Sequence, residues 1–183
     1  MNIIKTSLEG VLIIEPKVFK DARGFFMETF HQNRYADAGI VQNFVQDNLS
    51  YSVKNTIRGL HYQIRHAQAK LIQVVTGEIF DVVVDIRTGS PTFGQWVGFH
   101  LSEHNKRQIF IPAGFAHGFC VLSETVHCLY KCSDYYTPAD EGGILWSDPG
   151  INIDWPIKGP IISEKDKNYP LLGDLLPGQL PIV

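Results

Sequence analysis

The sequence contains few cysteines, and their number and spacing exclude most of the usual roles of this residue. Only three are present in 183 residues, at Cys120, Cys128 and Cys132. An odd number does not fit a fully paired disulfide framework, and no pair has the spacing of a metal site. Each cysteine lies in an apolar stretch. We therefore expect buried, reduced thiols in a cytoplasmic protein.

The sequence also lacks a large excess of charge of either sign and any long apolar run. The formal net charge is −3, which does not favour a nucleic-acid partner or an acidic lipid surface. No apolar run approaches the roughly 20 residues that span a membrane. The first ten residues lack the long hydrophobic segment of a signal peptide. We expect neither a nucleic-acid nor a membrane partner.

Repeats, low-complexity segments and linkers are absent as well, which favours one domain over residues 1–183. Short apolar and β-branched segments recur instead, separated by turn signals such as Pro112-Ala113-Gly114. They predict strands at 11–15, 24–30, 43–51, 56–63, 71–76, 79–87, 95–101, 107–111, 117–122 and 126–133. Short helices are predicted at 32–38 and around 163–168. Many short strands at close spacing predict a mainly β fold, an antiparallel sandwich or barrel.

One predicted strand and the residues after it carry polar side chains where apolar ones are typical. Arg58 and His61 lie in the strand, and Lys70 follows. Two cations near a histidine lower its pKa and favour the neutral, proton-accepting form, and they also attract an anion. A general base needs an acid and an orienting group. Tyr130 and Asp166 are candidates, although spacing does not bring them to His61, and a purely structural histidine is the alternative.

Strand alternation constrains how these side chains meet. It places Tyr130 on one face together with Cys128 and Cys132. The same rule places Arg58 and His61 on opposite faces. A β-bulge at the intervening glycine would bring both to one face, because glycine tolerates the backbone angles of a bulge.

The segment 112–117 has the PxGxxH pattern, which resembles the second motif of the cupin barrels. Metal-binding cupins add an HxH pair and a glutamate upstream. Here His61-Tyr62-Gln63 lacks the second histidine, and residues 67–69 contain no glutamate. Because a metal ion needs three or four placed ligands, no metal is predicted. His117 has two interpretations, a structural hydrogen bond or a contact with phosphate or sugar.

Several further polar residues have both a structural and a functional interpretation. Arg23 and Glu28 flank an aromatic pair. They are either charges on a solvated strand edge or contacts with a ligand. Tyr136 is either rim packing or a platform for a nucleobase. Glu141 precedes two glycines and is either a turn residue or a ligand contact. The default interpretation of Lys165 is a solvent-facing charge.

Eight sequence segments, in this order, are similar to one family along nearly the whole chain, the dTDP-4-dehydrorhamnose 3,5-epimerases. They are KVFKDARGFFMETF, QDN at 46–48, IRGLHYQ, AQAKLIQV, GEIFDVVVDIRTGSPTFGQW, IPAGFAHGF, YYTPADEGGILWSDP and ISEKDKNYPLL. The resemblance implies a cupin-like antiparallel β-barrel, or jelly roll, that acts as a homodimer without a metal or organic cofactor. It implies conversion of dTDP-4-dehydro-6-deoxy-D-glucose to dTDP-4-dehydro-L-rhamnose, with inversion at carbons 3 and 5.

The resemblance also implies a role for each matching residue. His61 is the base, and Asp166 orients it. Tyr130 is the acid that returns a proton on the opposite side, most clearly at carbon 5, and Lys70 stabilises the enolate oxygen. Arg58 holds the diphosphate, for which its paired donors are suited. Tyr136 stacks on thymine. The other implied substrate or nucleotide contacts, some from the partner subunit, are Arg23, Glu28, Gln46, Asp47, Asn48, His117, Glu141 and Lys165.

Other functions remain open at this stage. A relative could epimerise a single carbon or act as a 3,4-ketoisomerase of a dTDP-4-keto-6-deoxy sugar, but Tyr130 favours the full reaction. A non-catalytic nucleotide-binding cupin and a metal-dependent cupin oxygenase are the alternatives from other classes. The segment 64–69 lacks the proline that many family members carry there, which favours a less rigid hold on Lys70.

Overall fold

The computed structural model describes residues 1–181 and is built mainly of short β-strands. Its strands are β1 (Asn2–Lys5), β2 (Leu12–Glu15), β3 (Val18–Asp21), β4 (Gly24–Met27), β5 (Gln46–Val53), β6 (Ile57–Gln63), β7 (Lys70–Thr76), β8 (Glu78–Asp85), β9 (Trp96–Ser102), β10 (Gln108–Ile111), β11 (Phe115–Val121), β12 (Thr125–Cys132) and β13 (Glu141–Gly143). The α-helices are α1 (Gln32–Asp37) and α2 (Glu164–Lys167). No helix in the described range is long and apolar enough to cross a membrane.

Two antiparallel sheets form the body of the protein. One has six strands in the order β1-β2-β10-β7-β12-β5, and the other has five in the order β13-β6-β11-β8-β9. Strands β3 and β4 form a separate hairpin. The predicted mainly β, cupin-like jelly roll with a few short helices is confirmed. Non-consecutive neighbours, such as β2 with β10 and β6 with β11, show that the chain crosses repeatedly between distant segments.

The main hydrophobic core lies between the two sheets. Ile13, Ile72 and Ile109 from the six-stranded sheet pack in one cluster with Ile79 and Val83 from the five-stranded sheet, and all are at most 3% exposed. Side chains that alternate along each strand supply this layer. Burial of so much apolar area is the main stabilising contribution to the barrel.

Both sheets are also covered on their outer faces. Val82 and Val84 of β8 point outward and pack under Leu172 of the C-terminal segment. On the six-stranded sheet, Tyr35 and Ile40 cover the outer face in the same way. Two-sided burial explains why β8 carries apolar side chains on both of its faces, which a strand with one wet face would not show.

The predicted strands all occur, with ends displaced by up to three residues, and both helices lie where they were predicted. Three observed strands were not predicted, namely β1, β3 and β13. The last of these reads Glu-Gly-Gly, a poor strand former by composition. A Cβ atom on Gly142 would lie 2.4 Å from the ring of Tyr62, and one on Gly143 would lie 2.3 Å from the ring of Tyr169. The glycines are therefore needed where aromatic rings pack directly on this strand.

Asp85, at the end of β8, provides a test of the polar contribution to stability. Its fully buried carboxylate accepts hydrogen bonds from Arg87 Nη2 at 2.7 Å, Ser90 Oγ at 2.6 Å and Thr92 Oγ1 at 2.5 Å. Burial raises the pKa of Asp85, but these bonds outweigh it and lower the pKa to about 2. The stabilisation of the folded protein by Asp85 is therefore complete above the pKa of this carboxyl in the unfolded chain. It is lost as the pH falls through the pKa in the folded protein.

We expect Asp85→Asn to lower the free energy of unfolding at pH 7 by about 2 kcal/mol, the equivalent of the pKa difference. Urea denaturation at pH 7 and at pH 3 measures the effect. The difference in free energy of unfolding between the wild type and Asp85→Asn should be smaller at pH 3, because Asp85 of the unfolded wild-type chain then binds a proton. Equal stabilities at pH 7 would contradict the prediction.

Candidate active site

A cavity of about 300 Å³ opens between the two sheets. Strands β5, β7 and β12 of one sheet and β6, β11 and β13 of the other contribute side chains to its wall. The predicted site residues that line it are Gln46, Asn48, Arg58, His61, Lys70, His117, Tyr130, Tyr136 and Glu141. Residues separated by up to 95 positions in the sequence are thus brought to one site.

His61 and Asp166 form a hydrogen-bonded pair at the wall of this cavity. Nε2 of His61 lies 2.8 Å from Oδ1 of Asp166, and Oδ2 of Asp166 accepts the amide proton of Gly59 at 3.2 Å. Burial opposes ionisation of Asp166, but the bonds from His61 and Gly59 outweigh it, and the pKa of this carboxyl is lowered. An ionised Asp166 accepts the Nε2 proton, which leaves Nδ1 of His61 as the nitrogen able to accept a proton.

Helix α2 fixes this carboxylate. Ser163 caps the helix, and its Oγ accepts the backbone N–H of Asp166 at 3.1 Å. Asp166 is the buried residue of the helix, with 3% of its side chain exposed. The ring of Tyr169, just after the helix, meets the His61 ring edge-on with centroids 5.8 Å apart. The His61 ring is therefore held on two sides by one short segment.

A β-bulge brings Arg58 and His61 to the same cavity, as predicted. His61 pairs with His117 on β11 and Arg58 pairs with Phe119, so two residues of β6 oppose Gly118 alone. Gly59 has φ +126°, and a Cβ atom there would lie 2.5 Å from the Cα of Gly118. Only glycine fits this close approach between β6 and β11.

Tyr130 enters the cavity from the opposite sheet. Cys128, Tyr130 and Cys132 of β12 all line the cavity, whereas Leu129 and Lys131 line a small depression on the other side. The alternation predicted for this strand is confirmed. Burial raises the pKa of Tyr130, so its hydroxyl carries its proton at neutral pH and can donate it.

Lys70 begins strand β7, and hydrogen bonds hold the loop that precedes it. The carboxylate of Asp140 accepts the backbone N–H groups of Arg65 at 3.0 Å and His66 at 2.7 Å. The backbone N–H of Ala69 donates to Ser133 Oγ at 2.8 Å. These bonds fix the loop from two directions, so Lys70 is anchored without the proline that the sequence lacks.

Arg58 and His117 are each held by a polar partner. Arg58 Nε donates to Ser52 Oγ at 2.8 Å, and Nη2 donates to the carbonyl of Tyr51 at 3.1 Å. His117 Nε2 lies 2.8 Å from Oδ2 of the buried Asp81. His117 therefore has the structural hydrogen bond of the first interpretation and also lines the cavity, and its contact with phosphate or sugar stays a prediction.

Three predicted residues meet at the cavity rim. Lys165 Nζ donates to the two carboxylate oxygens of Glu141 at 2.8 and 2.9 Å, and the hydroxyl of Tyr136 donates to Glu141 at 2.9 Å. Burial raises the pKa of Glu141, but the bonds from Lys165 and Tyr136 outweigh it, and the pKa is lowered. This cluster links the rim to helix α2, which also carries Asp166.

The structure places Asp47, Arg23 and Glu28 away from this chain's cavity. Asp47 alternates with Gln46 and Asn48, so it points outward and pairs with Lys131 at 2.9 Å. Arg23 pairs with Asp21 at 2.6 Å in the turn between β3 and β4, and Glu28 pairs with Arg34.

Sequence reasoning missed two residues that position the site. Asp81 lies in the apolar run of β8, and a charged residue there was the available signal. Ser52 gave no signal, because its role depends on the pairing of β5 with β12 and the curvature that brings Arg58 to it. Within residues 1–181, no three or more His, Cys, Asp or Glu side chains are placed to hold a metal ion.

A histidine held by a carboxylate and a protonated tyrosine on opposite walls of a jelly-roll cavity are suited to moving protons on opposite faces of one substrate, which is the chemistry of an epimerase, a class of isomerase. The family model of dTDP-4-dehydrorhamnose 3,5-epimerase matches residues 5–174, and the chain belongs to this family.

Known relatives are similar over nearly the full chain. The dTDP-4-dehydrorhamnose 3,5-epimerase of Shigella flexneri is 58% identical over 92% of this chain and 94% of its own. A crystal structure of dTDP-6-deoxy-D-glucose-3,5-epimerase from Legionella pneumophila, in complex with dTDP-4-keto-L-rhamnose, is 53% identical with a TM-score of 0.96, covering 98% and 97% of the two chains. A 3'-monoepimerase from Streptomyces bikiniensis, in complex with dTDP-quinovose, is 34% identical with a TM-score of 0.90, covering 96% and 91%.

Proposed function

We propose that this protein is a 3,5-epimerase that converts dTDP-4-dehydro-6-deoxy-D-glucose to dTDP-4-dehydro-L-rhamnose in dTDP-rhamnose biosynthesis. The observation that carries the proposal is the entry of His61 and Tyr130 into one cavity from opposite sheets. Inversion at carbon requires removal of a proton from one face and delivery of a proton to the other. The bound dTDP-4-keto-L-rhamnose of the Legionella relative supports this choice of substrate class.

The chemistry follows from the acidity that a ketone gives to its neighbouring carbons. Nδ1 of His61 takes the proton from carbon 3 or carbon 5, and the electron pair moves to the oxygen on carbon 4. The ammonium of Lys70 stabilises this enolate in a site of low dielectric. Tyr130 then donates its hydroxyl proton to the opposite face. Asp166 keeps the His61 ring oriented and stabilises the imidazolium that forms.

The rest of the cavity binds the nucleotide. Arg58, held by Ser52, presents its remaining N–H groups to the diphosphate. Tyr136 lies at the rim with 47% of its surface exposed, as a face for the thymine ring. His117, Gln46 and Asn48 complete the polar wall.

We further propose that the protein is a homodimer. Strand β5 is the edge of the six-stranded sheet, and its outward side chains Leu49, Tyr51 and Val53 are 65%, 53% and 44% exposed. The β3–β4 hairpin exposes Phe25 and Phe26. Exposed apolar edge strands of this kind are typical of association surfaces. A second copy covering them accounts for Arg23, Glu28 and Asp47, which lie outside this chain's own cavity.

Leu49→Glu is expected to shift the protein from dimer to monomer, because it places a charge in the middle of the apolar strip on β5. Light scattering after size-exclusion chromatography measures the mass. Leu176→Glu is the matched control, since Leu176 is 68% exposed and lies in the C-terminal segment. A monomeric wild-type protein, or a dimeric Leu49→Glu variant, would contradict the proposal.

The cytoplasm is the proposed location. Cys120, Cys128 and Cys132 are buried and unpaired, and free thiols of this kind are typical of reducing compartments.

Incubation with the dTDP-sugar in heavy water, followed by NMR, tests the reaction. Deuterium at carbons 3 and 5 with the inverted product is expected. The second candidate is a single-carbon epimerase, which the similarity to the 3'-monoepimerase favours. Deuterium and inversion at carbon 3 alone would select that candidate, and no exchange at either carbon would exclude both.

A further inference from the structure

We propose that Gln63 is a positioning residue of the nucleotide site, whose buried amide side chain holds the backbone on both sides of Tyr136. Gln63 is the last residue of β6, is 4% exposed and borders the cavity. The proton transfers described above assign it no part. The proposal rests on the proposed function, because it requires that Tyr136 receives a nucleobase.

The segment that carries Tyr136 has no regular secondary structure. It follows β12 and precedes a single 3₁₀ turn at Pro138–Asp140. Its backbone therefore has no neighbouring strand to satisfy its polar groups or to fix its path. Hydrogen bonds from side chains have to do both.

Three such bonds surround Tyr136. Gln63 Nε2 donates to the carbonyl of Tyr135 at 3.2 Å, and Gln63 Oε1 accepts the backbone N–H of Thr137 at 2.7 Å. Gln46 Oε1 accepts the backbone N–H of Tyr136 itself at 3.0 Å. Two amide side chains thus hold three consecutive residues, and Gln63 supplies the two outer contacts.

The side chain of Tyr136 is held at its other end as well. Its hydroxyl donates to Glu141 at 2.9 Å, and Glu141 is the β13 residue that pairs with Gln63 of β6. The ring is therefore fixed through both its backbone and its hydroxyl, while 47% of the residue stays exposed. A ring that is already ordered binds a base without the entropic cost of immobilising a side chain.

Gln63 acts through the backbone and not through direct donation to a ligand. A glutamine amide has two N–H donors. The carbonyl of Tyr135 accepts one of them, and the carbonyl of His66 accepts the other at 2.8 Å. The bond to His66 also reaches the loop before Lys70, but other hydrogen bonds hold that loop independently. Loss of Gln63 should therefore weaken nucleotide binding more than it lowers kcat.

Gln63→Met tests the assignment, because it keeps the length of the side chain and removes its three hydrogen bonds. We expect the dissociation constant of dTDP, measured by isothermal titration calorimetry, to rise about 5- to 10-fold. KM for the dTDP-sugar should rise equally, with less than about a twofold change in kcat.

Gln108→Met is the matched control. Gln108 is 1% exposed, and its amide donates to the carbonyl of Thr29 at 2.7 Å in the small depression on the outer side of the six-stranded sheet. The substitution removes buried hydrogen bonds of the same kind, away from the cavity. This variant should bind dTDP with the affinity of the wild type.

A double-mutant cycle with Tyr136→Ala separates positioning from general destabilisation. Loss of the stacking ring should itself weaken dTDP binding roughly 10-fold. Because Gln63 acts through Tyr136, adding Gln63→Met to Tyr136→Ala should cost less than about a further twofold. Equal effects of Gln63→Met in both backgrounds overturn the proposal, and so does wild-type affinity in Gln63→Met alone.

Hydrogen exchange in the unliganded wild-type protein gives a test that does not depend on the folding of a variant. The amide of Thr137 should exchange at least about 10-fold more slowly than an unprotected amide, since Gln63 Oε1 is its acceptor. Exchange at the unprotected rate overturns the proposal.

Binding and turnover together distinguish this proposal from the proposed function. Binding of dTDP that depends on Gln63 through Tyr136, without turnover of the dTDP-sugar, contradicts the proposed function and supports the role of Gln63. Turnover by the wild type, with equal dTDP affinity in Gln63→Met, supports the proposed function and overturns the role of Gln63. A wild-type protein that does not bind dTDP contradicts both.

Discussion

His61→Ala is expected to lower kcat by about 10³- to 10⁴-fold, the range typical for loss of a positioned general base. Nε2 of His61 is fixed by the buried carboxylate of Asp166, which leaves Nδ1 to accept a proton. Without it, a water molecule has to remove the proton from carbon 3 or 5, and water is neither oriented by Asp166 nor basic enough at neutral pH. Deuterium exchange at both carbons should fall together with product formation.

The loss should come from chemistry and not from unfolding. His61 is 27% exposed at its side chain, so alanine there leaves an enlarged cavity and no collapsed core. His127→Ala is the matched control, because His127 lies on the outer face of β12 and bonds Thr76 Oγ1 at 2.9 Å. It should retain near wild-type kcat. A His61→Ala variant that folds and turns over at the wild-type rate would remove His61 from the role of base.

The fold could be predicted where local patterns and long-range packing agree. Turn signals and β-branched segments are local properties, and they predict β5 to β12 well. The elements that could not be predicted depend on residues that are distant in the sequence. Strand β13 forms because β6 pairs with it and the rings of Tyr62 and Tyr169 pack on its glycines, and nothing within Glu-Gly-Gly indicates this.

The same distinction between local patterns and long-range contacts applies to the candidate site. Alternation within β12 is local, so the orientation of Tyr130 could be predicted from sequence. The bulge at Gly59 could be inferred only by requiring that Arg58 and His61 serve one site. The pairing of Asp166 with His61 joins residues separated by 105 positions. Spacing cannot show such a contact, and only the resemblance to a known family predicts it from the sequence.

Tyr130→Phe is expected to uncouple proton exchange from inversion. The substitution removes one hydroxyl from a half-buried ring, so the packing against Cys128 and Ile72 is preserved. His61 remains able to remove a proton and to return one from solvent to the same face. Deuterium should therefore still enter at carbon 3, whereas inversion at carbon 5 should fall by about 10²-fold or more, because no group is left to donate from the other side.

Product analysis by NMR in heavy water measures exchange and inversion in the same sample. Tyr51→Phe is the matched control, since the ring of Tyr51 lies on the outer face of β5 and packs on His127. It should give the doubly inverted product at the wild-type rate. Normal product from Tyr130→Phe would assign the acid to another group. Loss of all exchange would place Tyr130 in the proton-removal step, because deletion of a pure donor cannot prevent His61 from exchanging its proton with solvent.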